Sequence, residues 1–511
     1  MPVLPTTTSM TAEEQRVEQF LARACELARA GDAAALTQAF RGPLAWSDRQ
    51  RGYEAVRRLC QLVLDIGPTL PGSDWIEVYA AAADGLVDSL EREPAEPVLL
   101  NAAGVFLHEL TQYDAAIAIF ELALALDPAL PSAESNLAAA LDLVGDQALL
   151  GRPEDRQLAG RLCEAAAAAE LATGLTVSLC MIVKDEEELL AGCLEAVASA
   201  VDEIVVVDTG SNDRTIEIAE RFGAKVIVFP WNGSFADARN AGLAAATGDW
   251  LLYLDADERL VESDAEELRS LLGRTWREGF FLEVRNLTGD GSTEVVHPAL
   301  RLFRNRPEYR FEGRIHEEAS GAMPTFLPER FEPTSVRLFH LGYVDQLVEK
   351  RQKSARNLEL LELENEEAPG PYASFNLGSE YQRLGRWLVA QQHFDEAWEG
   401  VRHDEWLSIG FAPLLALRTA RARRECGRIE EAREILECAL EQLPEYTDLV
   451  FELALCAIEV NDPGEAERLL ERCLELGDAP EGLASTIGAG SHLARQRLSD
   501  LRHEPSLTHS R

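Results

Sequence analysis

Residues 251–258, LLYLDADE, are the most informative stretch of this 511-residue sequence. The apolar run LLYL is typical of a buried β-strand, and it ends abruptly in two carboxylates, Asp255 and Asp257. Alternate residues of an extended chain point to the same side, so both acids should project together from the end of the strand. A hard divalent cation bound there could bridge them to a phosphate group. The stretch therefore predicts a cation site at the edge of a sheet.

Apolar runs and helical segments alternate on the N-terminal side of this stretch and lead into it. The predicted strands cover residues 177–183, 203–207, 225–229 and 250–254, and the predicted helices cover residues 186–199, 214–222 and 235–246. Alternation with short loops predicts an α/β domain with a mostly parallel, Rossmann-like sheet. Ligands of such sheets collect beyond the carboxyl ends of the strands.

Polar clusters directly follow three of these strands. The clusters are Lys184-Asp185-Glu186, Asp208-Thr209-Gly210-Ser211 and Asp255-Ala256-Asp257. Because parallel strands end at the same edge of a sheet, we expect all three clusters to meet on one rim.

Composition narrows the class of protein. A formal net charge of -40 would repel a nucleic-acid backbone, which argues against a nucleic-acid partner. No apolar run approaches the roughly 18 residues of a transmembrane segment, and the first residues lack the pattern of a signal peptide. Nine cysteines without a C-x-x-C pair fit buried thiols in a reducing compartment. The expectation is a soluble cytoplasmic protein.

Repeats flank the α/β region. A 34-residue tetratricopeptide pattern ends at Pro128, and similar patterns recur after the central region. The matching positions are Leu100, Ala103, Gly104, Leu107, Ala116, Phe120 and Ala123, then Leu377, Gly378, Tyr381, Ala390, Phe394 and Ala397, then Ala420, Ala432, Leu436, Ala439 and Pro444, then Ala454, Ala466, Leu470 and Cys473. We predict tetratricopeptide-like helices over residues 1–172, an α/β domain over 175–343 and further tetratricopeptide-like helices over 347–505. The alternative is a set of antiparallel helices without a binding groove.

Five motifs in order resemble the family-2 glycosyltransferases of the GT-A fold, in the branch of bacterial lipopolysaccharide core transferases and bacteriocin peptide S-glycosyltransferases. They are MIVKDEE, EIVVVDTGSNDRTIEIAERFGAKV, FADARNAGLAAATGDWLLYLDADE, FEGRIHE and FHLGY. The resemblance covers residues 175 to about 343. One departure is Asp185, where the family usually has Asn.

The resemblance implies roles for the polar residues. It places Asp208, with Ser211 in the same cluster, on the nucleotide, and it implies that Arg239 and Asn240 hold the ribose or diphosphate. It further implies that Asp255 contacts the ribose and the metal. Asp208 could instead only end a strand, and Arg239 could be a surface residue.

For the catalytic step, the resemblance implies that Asp257 and His340 ligate the metal. It implies that Glu317 is the general base, which would take the proton of the acceptor. Glu312 and Glu318 are competing bases, and the roles of His316 and Asp185 stay open. Residues 280–285, 300–304 and 309–315 are predicted strands of an acceptor face.

The sequence thus predicts a metal-dependent inverting glycosyltransferase that uses Mn²⁺ or Mg²⁺ and a nucleotide-diphosphate sugar, most simply a UDP-hexose. The acceptor could be a peptide or protein held by the repeats, a glycan or a lipid-linked glycan, and a homodimer is possible. The alternatives are a non-catalytic repeat scaffold with a relic domain, and a nucleotidyltransferase. The latter would ordinarily show a glycine-rich phosphate loop, which MIVKDEE lacks.

Overall fold

The computed structural model describes residues 11–71, 73–143, 152–288, 293–319, 323–341, 347–402, 410–480 and 483–503. The chain forms two compact units. One contains Thr7–Gly174 and Gly273–Trp276, and the other contains Leu175–Leu272 and Arg277–Arg511. The three-part division predicted from sequence stays a prediction.

Helices are the only regular elements among the described residues of the first unit. Its α-helices are α1 (Ala12–Arg29), α2 (Ala33–Arg41), α3 (Arg49–Ile66), α4 (Asp74–Arg92), α5 (Pro97–Glu109), α6 (Tyr113–Leu126), α7 (Ala133–Leu143) and α8 (Pro153–Ala166). Gly104 of α5 lies against the ring of Phe120 of α6, and a Cβ at that glycine would come within 2.4 Å of the ring. Both residues are repeat positions predicted from the sequence, and only glycine allows this close packing.

The second unit begins with a nine-stranded sheet. Its elements are β1 (Val177–Val183), α9 (Leu190–Val197), β2 (Glu203–Asp208), α10 (Thr215–Arg221), β3 (Lys225–Val228), α11 (Phe235–Ala245), β4 (Trp250–Tyr253), β5 (Glu258–Leu260), α12 (Ala265–Leu271), β6 (Gly279–Thr288), β7 (Thr293–Arg304) and β8 (Phe331–His340). The strand order is β3-β2-β1-β4-β7-β6-β8-β5, and β9 (Ser485–Thr486) pairs with β7.

The sheet is mixed. Strands β3, β2, β1 and β4 are parallel, as the alternating pattern predicts. From β7 onward the pairs are antiparallel except for β6 with β8. One face of the sheet packs against α9, α10 and α12, and the other packs against α11 together with Tyr309 and Phe311. Cys180 and Cys193 are buried, as predicted.

Helical hairpins follow the sheet within the same unit. They are α13 (Leu347–Glu367), α14 (Pro371–Arg383), α15 (Trp387–Val401), α16 (Ala412–Glu425), α17 (Ile429–Gln442), α18 (Thr447–Glu459), α19 (Pro463–Leu476) and α20 (His492–His503). None of the helices in the described part of the chain combines the length and the apolar character needed to span a bilayer.

The predicted strand over residues 309–315 is wrong. This segment makes one isolated bridge, between Glu312 and Glu318, and is otherwise irregular. Gly313 and His316 have φ angles of 96° and 53°, which interrupt an extended chain. Ile315 of this segment packs into the core of the C-terminal helices, so its apolar pattern reflects burial against helices.

Candidate functional site

The polar clusters after β1 and β2 are joined to each other. Val183 pairs with Asp208 in the register of the two strands, so their ends coincide. The amide of Asp185 donates to Oγ of Ser211 over 2.9 Å, and the amide of Asn212 donates to Oδ1 of Asp185 over 2.7 Å. These two clusters therefore form one wall of the rim, as expected.

The conformation of Asp185 explains the departure from the family pattern. Its φ is 54°, in the left-handed region. Asn and Asp adopt this region more readily than other residues with a side chain. Asp can therefore replace Asn here without a change of backbone, and its carboxylate accepts the bond from Asn212.

Asp208 lies at the end of β2, and only 1% of its surface is exposed. Its carboxylate accepts hydrogen bonds from the amides of Gly210 and Ser211, both at 3.0 Å. Asp208 therefore ends the strand β2 and holds the turn that follows it, which is the structural alternative considered from the sequence. A contact of Asp208 or Ser211 with a nucleotide stays a prediction.

Arg239 of α11 connects two carboxylates that are far apart in sequence. Its Nη2 donates to Oδ1 of Asp255 over 3.0 Å, and its Nε donates to Glu317. The guanidinium also lies over the rings of Tyr253 and Phe311, 5.0 and 5.5 Å from their centroids. Arg239 is buried, so the alternative that it is a surface residue is wrong. These partners are protein side chains, and a contact of Arg239 with the nucleotide-sugar donor stays a prediction.

Asn240, the neighbour of Arg239, uses its amide on the backbone. Its Nδ2 donates to the carbonyl of Phe311 over 2.9 Å, and its Oδ1 accepts from the amide of the same residue over 2.8 Å. This pair of bonds holds the segment after β7 against α11. The predicted nucleotide contact of Asn240 stays a prediction.

Charge around Asp255 is strongly organised. Burial raises the pKa of Asp255, but the nearby Arg239 and Arg301 outweigh it and lower that pKa on balance. Glu258 is almost wholly buried; its carboxylate accepts from the amide of Asp255 at 3.0 Å and from Arg301 at 2.6 Å. Burial is the main cause that raises the pKa of Glu258. The side chain of Arg301 is 12% exposed, so Arg301 is a half-buried partner of the loop and not a surface residue.

Asp257 and His340 come together at the other side of this loop. Nε2 of His340 lies 3.3 Å from Oδ2 of Asp257. The register explains the meeting, because β5 begins at Glu258 and pairs that residue with His340 at the end of β8. Nδ1 of His340 donates to Oδ1 of Asn286 over 2.6 Å.

The residues of this pair fit a divalent cation. With Nδ1 used as a donor, Nε2 is the nitrogen that faces Asp257, and its lone pair could ligate a cation together with the carboxylate. Mg²⁺ sites commonly use one or two carboxylates and take further oxygens from substrate phosphates. No group of three or more such ligands is found among the described residues, and the predicted contact of Asp255 with the cation stays a prediction.

Three glutamates were candidates for the general base. Glu317 has a side chain only 8% exposed and is the one linked to Asp255, through Arg239. Glu318 accepts from the hydroxyl of Tyr372 over 2.8 Å, and Glu312 is exposed. His316 is exposed and has a positive φ. Of the three glutamates, Glu317 is thus the one that hydrogen bonds connect, through Arg239, to the loop of Asp255.

Sequence reasoning missed Asn286 and His297. Nδ2 of Asn286 lies 3.0 Å from Nδ1 of His297, so these two residues extend the network of His340. Asn286 is an amide residue within the apolar-rich strand β6. A polar residue in such a strand was the available signal.

Comparison with known sequences identifies the domain that carries these residues. The family profile "Glycosyl transferase family 2" matches residues 178–332, and tetratricopeptide repeat profiles match residues 98–130 and 423–482. The chain carries a family 2 glycosyltransferase domain. The predicted fold class, a GT-A glycosyltransferase domain flanked by tetratricopeptide-like helices, is confirmed.

Similar proteins share only parts of the chain. A TPR repeat-containing protein of Synechococcus elongatus is 36% identical over 274 residues, which are 52% of this chain and 66% of that protein. The glycosyltransferase SunS of Bacillus subtilis is 25% identical over 193 residues, which are 37% of this chain and 44% of SunS. This chain thus covers less than two thirds of each of these relatives.

Among solved structures, a glucosyl-3-phosphoglycerate synthase from Mycobacterium tuberculosis in complex with Mn²⁺, UDP and glucosyl-3-phosphoglycerate is similar to part of this chain. It is 24% identical, covers 23% of this chain and 46% of its own, and has a TM-score of 0.19. This TM-score is too low to support a structural argument.

Proposed function

We propose that the protein is a metal-dependent inverting glycosyltransferase that transfers a hexose from a UDP-sugar. The observation that carries the proposal is the pair Asp257 and His340, 3.3 Å apart at the rim of a family 2 glycosyltransferase domain. Asp257 and His340 would hold Mn²⁺ or Mg²⁺. The cation, when bound, would supply Lewis-acid assistance to the departing diphosphate.

The remaining rim residues would bind and orient the donor. Asp208 and Ser211 would contact the base at the ends of β1 and β2, where ligands of α/β sheets collect. Asp255 would accept a hydrogen bond from a hydroxyl of the ribose. Arg239 would keep the carboxylate of Asp255 ionised and in place. Asn240 would contact the ribose or diphosphate from its place next to Arg239 on α11, where its amide also holds the backbone of Phe311.

Glu317 would take the proton of the acceptor as it attacks the anomeric carbon. Its bond to Arg239 fixes the carboxylate through Oε1, and among the described contacts Oε2 has no hydrogen-bond partner. The protein need not supply a general acid for the leaving group, because the departing diphosphate is an anion that the positive charge of the bound cation would stabilise.

The C-terminal repeats would bind the acceptor, with a peptide or protein as the favoured class. Support comes from their contacts with the segment that carries Glu317. Tyr372 donates to Glu318 over 2.8 Å, and Arg314 bonds Glu367 over 2.8 Å. Tetratricopeptide surfaces suit extended peptides and partner helices. We place the protein in the cytoplasm, because all nine cysteines are free thiols.

Titration calorimetry with UDP, in the presence and absence of Mn²⁺, tests the metal site. We expect Asp257→Asn to lose the Mn²⁺-dependent part of UDP binding, because an amide oxygen is a weaker ligand than a carboxylate. Glu262→Gln is the matched control, since Glu262 is an exposed acid five residues further along the chain. Metal-dependent UDP binding that persists in Asp257→Asn would contradict the proposal.

A further inference from the structure

The register of three strands places Asn286 between two histidines. Asn286 of β6 pairs with His340 of β8 on one side and with Val295 of β7 on the other. His297 follows Val295 by two residues on β7, so both side chains point to the same face of the sheet. Only 8% of Asn286 is exposed, so this amide must find its hydrogen-bond partners within the protein.

The partners of Asn286 fix the direction of its amide. Nδ2 lies 3.4 Å from the carbonyl of Val295, which can only accept, so that nitrogen is correctly placed as a donor. Nδ2 also donates to Nδ1 of His297 over 3.0 Å. Burial, followed by nearby positive charge, lowers the pKa of His297 to about 4, which leaves its ring neutral and able to accept. Oδ1 of Asn286 therefore faces His340 as an acceptor.

This direction determines which nitrogen of His340 carries the proton. Because Oδ1 can only accept, Nδ1 of His340 must donate in the 2.6 Å contact. In a neutral ring the lone pair is then on Nε2, the atom 3.3 Å from Asp257. A flipped amide would point its oxygen at the carbonyl oxygen of Val295, where both atoms can only accept, and it would point its donor at Nδ1 of His340, which would place the lone pair of a neutral ring on Nδ1 instead of Nε2.

The strand that carries His297 is itself held by the C-terminal part of the chain. Val295 and Val296 pair with Thr486 and Ser485 of β9. Asp448 of α18 accepts from the amide of Thr486 and the hydroxyl of Ser485, both at 2.8 Å. This arrangement restrains β7 next to His297 and so restrains the acceptor of the Asn286 amide.

We propose that Asn286 and His297 are positioning residues that fix the tautomer and ring orientation of His340, so that its Nε2 faces the cation. The inference rests on the proposed metal site at Asp257 and His340. Groups that orient a metal-ligating histidine typically contribute 10–100-fold to metal affinity.

Mn²⁺ affinity, measured from the electron paramagnetic resonance signal of free Mn²⁺, tests this inference without relying on turnover. The measurement is made on the full chain at a pH well above the ordinary histidine pKa of about 6.5. We expect Asn286→Leu to weaken Mn²⁺ binding about 10–100-fold. Asn286→Asp should restore binding to near the wild-type value, because a carboxylate also accepts from Nδ1 of His340. His297→Leu should weaken binding about 2–10-fold, the value of one lost hydrogen bond.

Thr334→Val is the matched control. Thr334 lies on β8, the strand of His340, and donates to the carbonyl of Phe281 over 3.0 Å away from the pair. This variant reports the effect of a lost hydrogen bond in the same strand, and its Mn²⁺ affinity should equal that of the wild type. UDP binding in the presence of chelator should be equal in all variants, which shows that each one is folded.

The outcomes separate the inference about Asn286 from the proposed metal site. Mn²⁺ binding by Asn286→Leu within twofold of Thr334→Val would overturn the inference and leave the proposed metal site standing. Failure of Asn286→Asp to recover binding would also overturn it, because the role assigned to Asn286 is that of an acceptor. Absence of Mn²⁺ binding by the wild type would overturn both the inference and the metal site.

Discussion

Replacing Arg239 by Leu tests the charged network at the rim of the sheet. Arg239 joins α11 to Asp255 on the loop after β4 and to Glu317 on the irregular segment. Leucine keeps much of the apolar contact with Tyr253 and Phe311 but removes the charge and the donors. The variant leaves two carboxylates without their common partner.

The size of the effect depends on how well each carboxylate is exposed to water. Removing one partner of a buried ion pair typically costs about 3–5 kcal/mol. The side chain of Glu317 is only 8% exposed, so the pair with Glu317 should carry most of this cost. The side chain of Asp255 is 38% exposed, so water compensates for most of the second loss. We expect Arg239→Leu to destabilise the glycosyltransferase domain by about 3 kcal/mol.

Hydrogen-exchange mass spectrometry of peptides from β1 and β4 measures the opening free energy of this domain separately from the helical unit. Arg214→Leu is the matched control, because Arg214 is 71% exposed and bonds one partly exposed acid, Glu187. That variant should exchange like the wild type. If Arg239→Leu changed the opening free energy no more than Arg214→Leu, the reasoning about the buried network would be refuted.

Three further predictions concern the same rim. Glu317→Gln should keep UDP-sugar affinity, measured by calorimetry, and lower kcat by about 10²–10⁴, because a base acts in the transition state; an equal loss of affinity would assign Glu317 to donor binding. Asp185→Ala should destabilise the loop by about 1 kcal/mol in hydrogen exchange, whereas Asp185→Asn should be neutral, because Asn tolerates a positive φ and keeps the acceptor for Asn212. The difference in unfolding free energy between the wild type and Arg239→Leu should shrink as the pH falls below about 4. The pKa of Asp255 is lower in the folded than in the unfolded chain, so its ionised carboxylate stabilises the fold above the unfolded pKa, and this contribution is lost on acidification. A difference that is constant from neutral pH to a pH of about 3 would exclude this linkage.

The sequence predicted the parallel half of the sheet and the fold class well. Continuous apolar runs and short loops are local signals, so the strands β1 to β4 could be located from them. The positive φ of Gly313 and His316 is not such a signal, and the apolar residues of that segment were therefore misread as a strand. Ile315 is buried against helices that come much later in the chain, which local patterns do not reveal.

Candidate site residues were less predictable than the fold. The motif resemblance selected Asp257 and His340, and the structure brings them together. The bonds of Asn286 with His340 and His297 depend on strand register, which joins residues 54 and 11 positions apart in sequence. No local pattern contains that information.

The contribution of the C-terminal repeats to the sheet was also outside the reach of the sequence. The repeats match a tetratricopeptide pattern, which suggests an independent array. In the structure, the two-residue strand β9 pairs with β7, and the repeats belong to the same compact unit as the sheet. A truncation before α14 would therefore remove part of the glycosyltransferase sheet together with the repeats.

Proton NMR of donor turnover, with a panel of UDP-hexoses, tests whether the protein is a metal-dependent inverting glycosyltransferase. We expect slow release of UDP from one donor in the presence of Mn²⁺, with the freed hexose formed first in the anomeric configuration opposite to that of the donor. Release should stop when EDTA is added in excess and should be absent in Asp257→Asn. Turnover that continues in EDTA, or a product that retains the donor configuration, would contradict the proposed function.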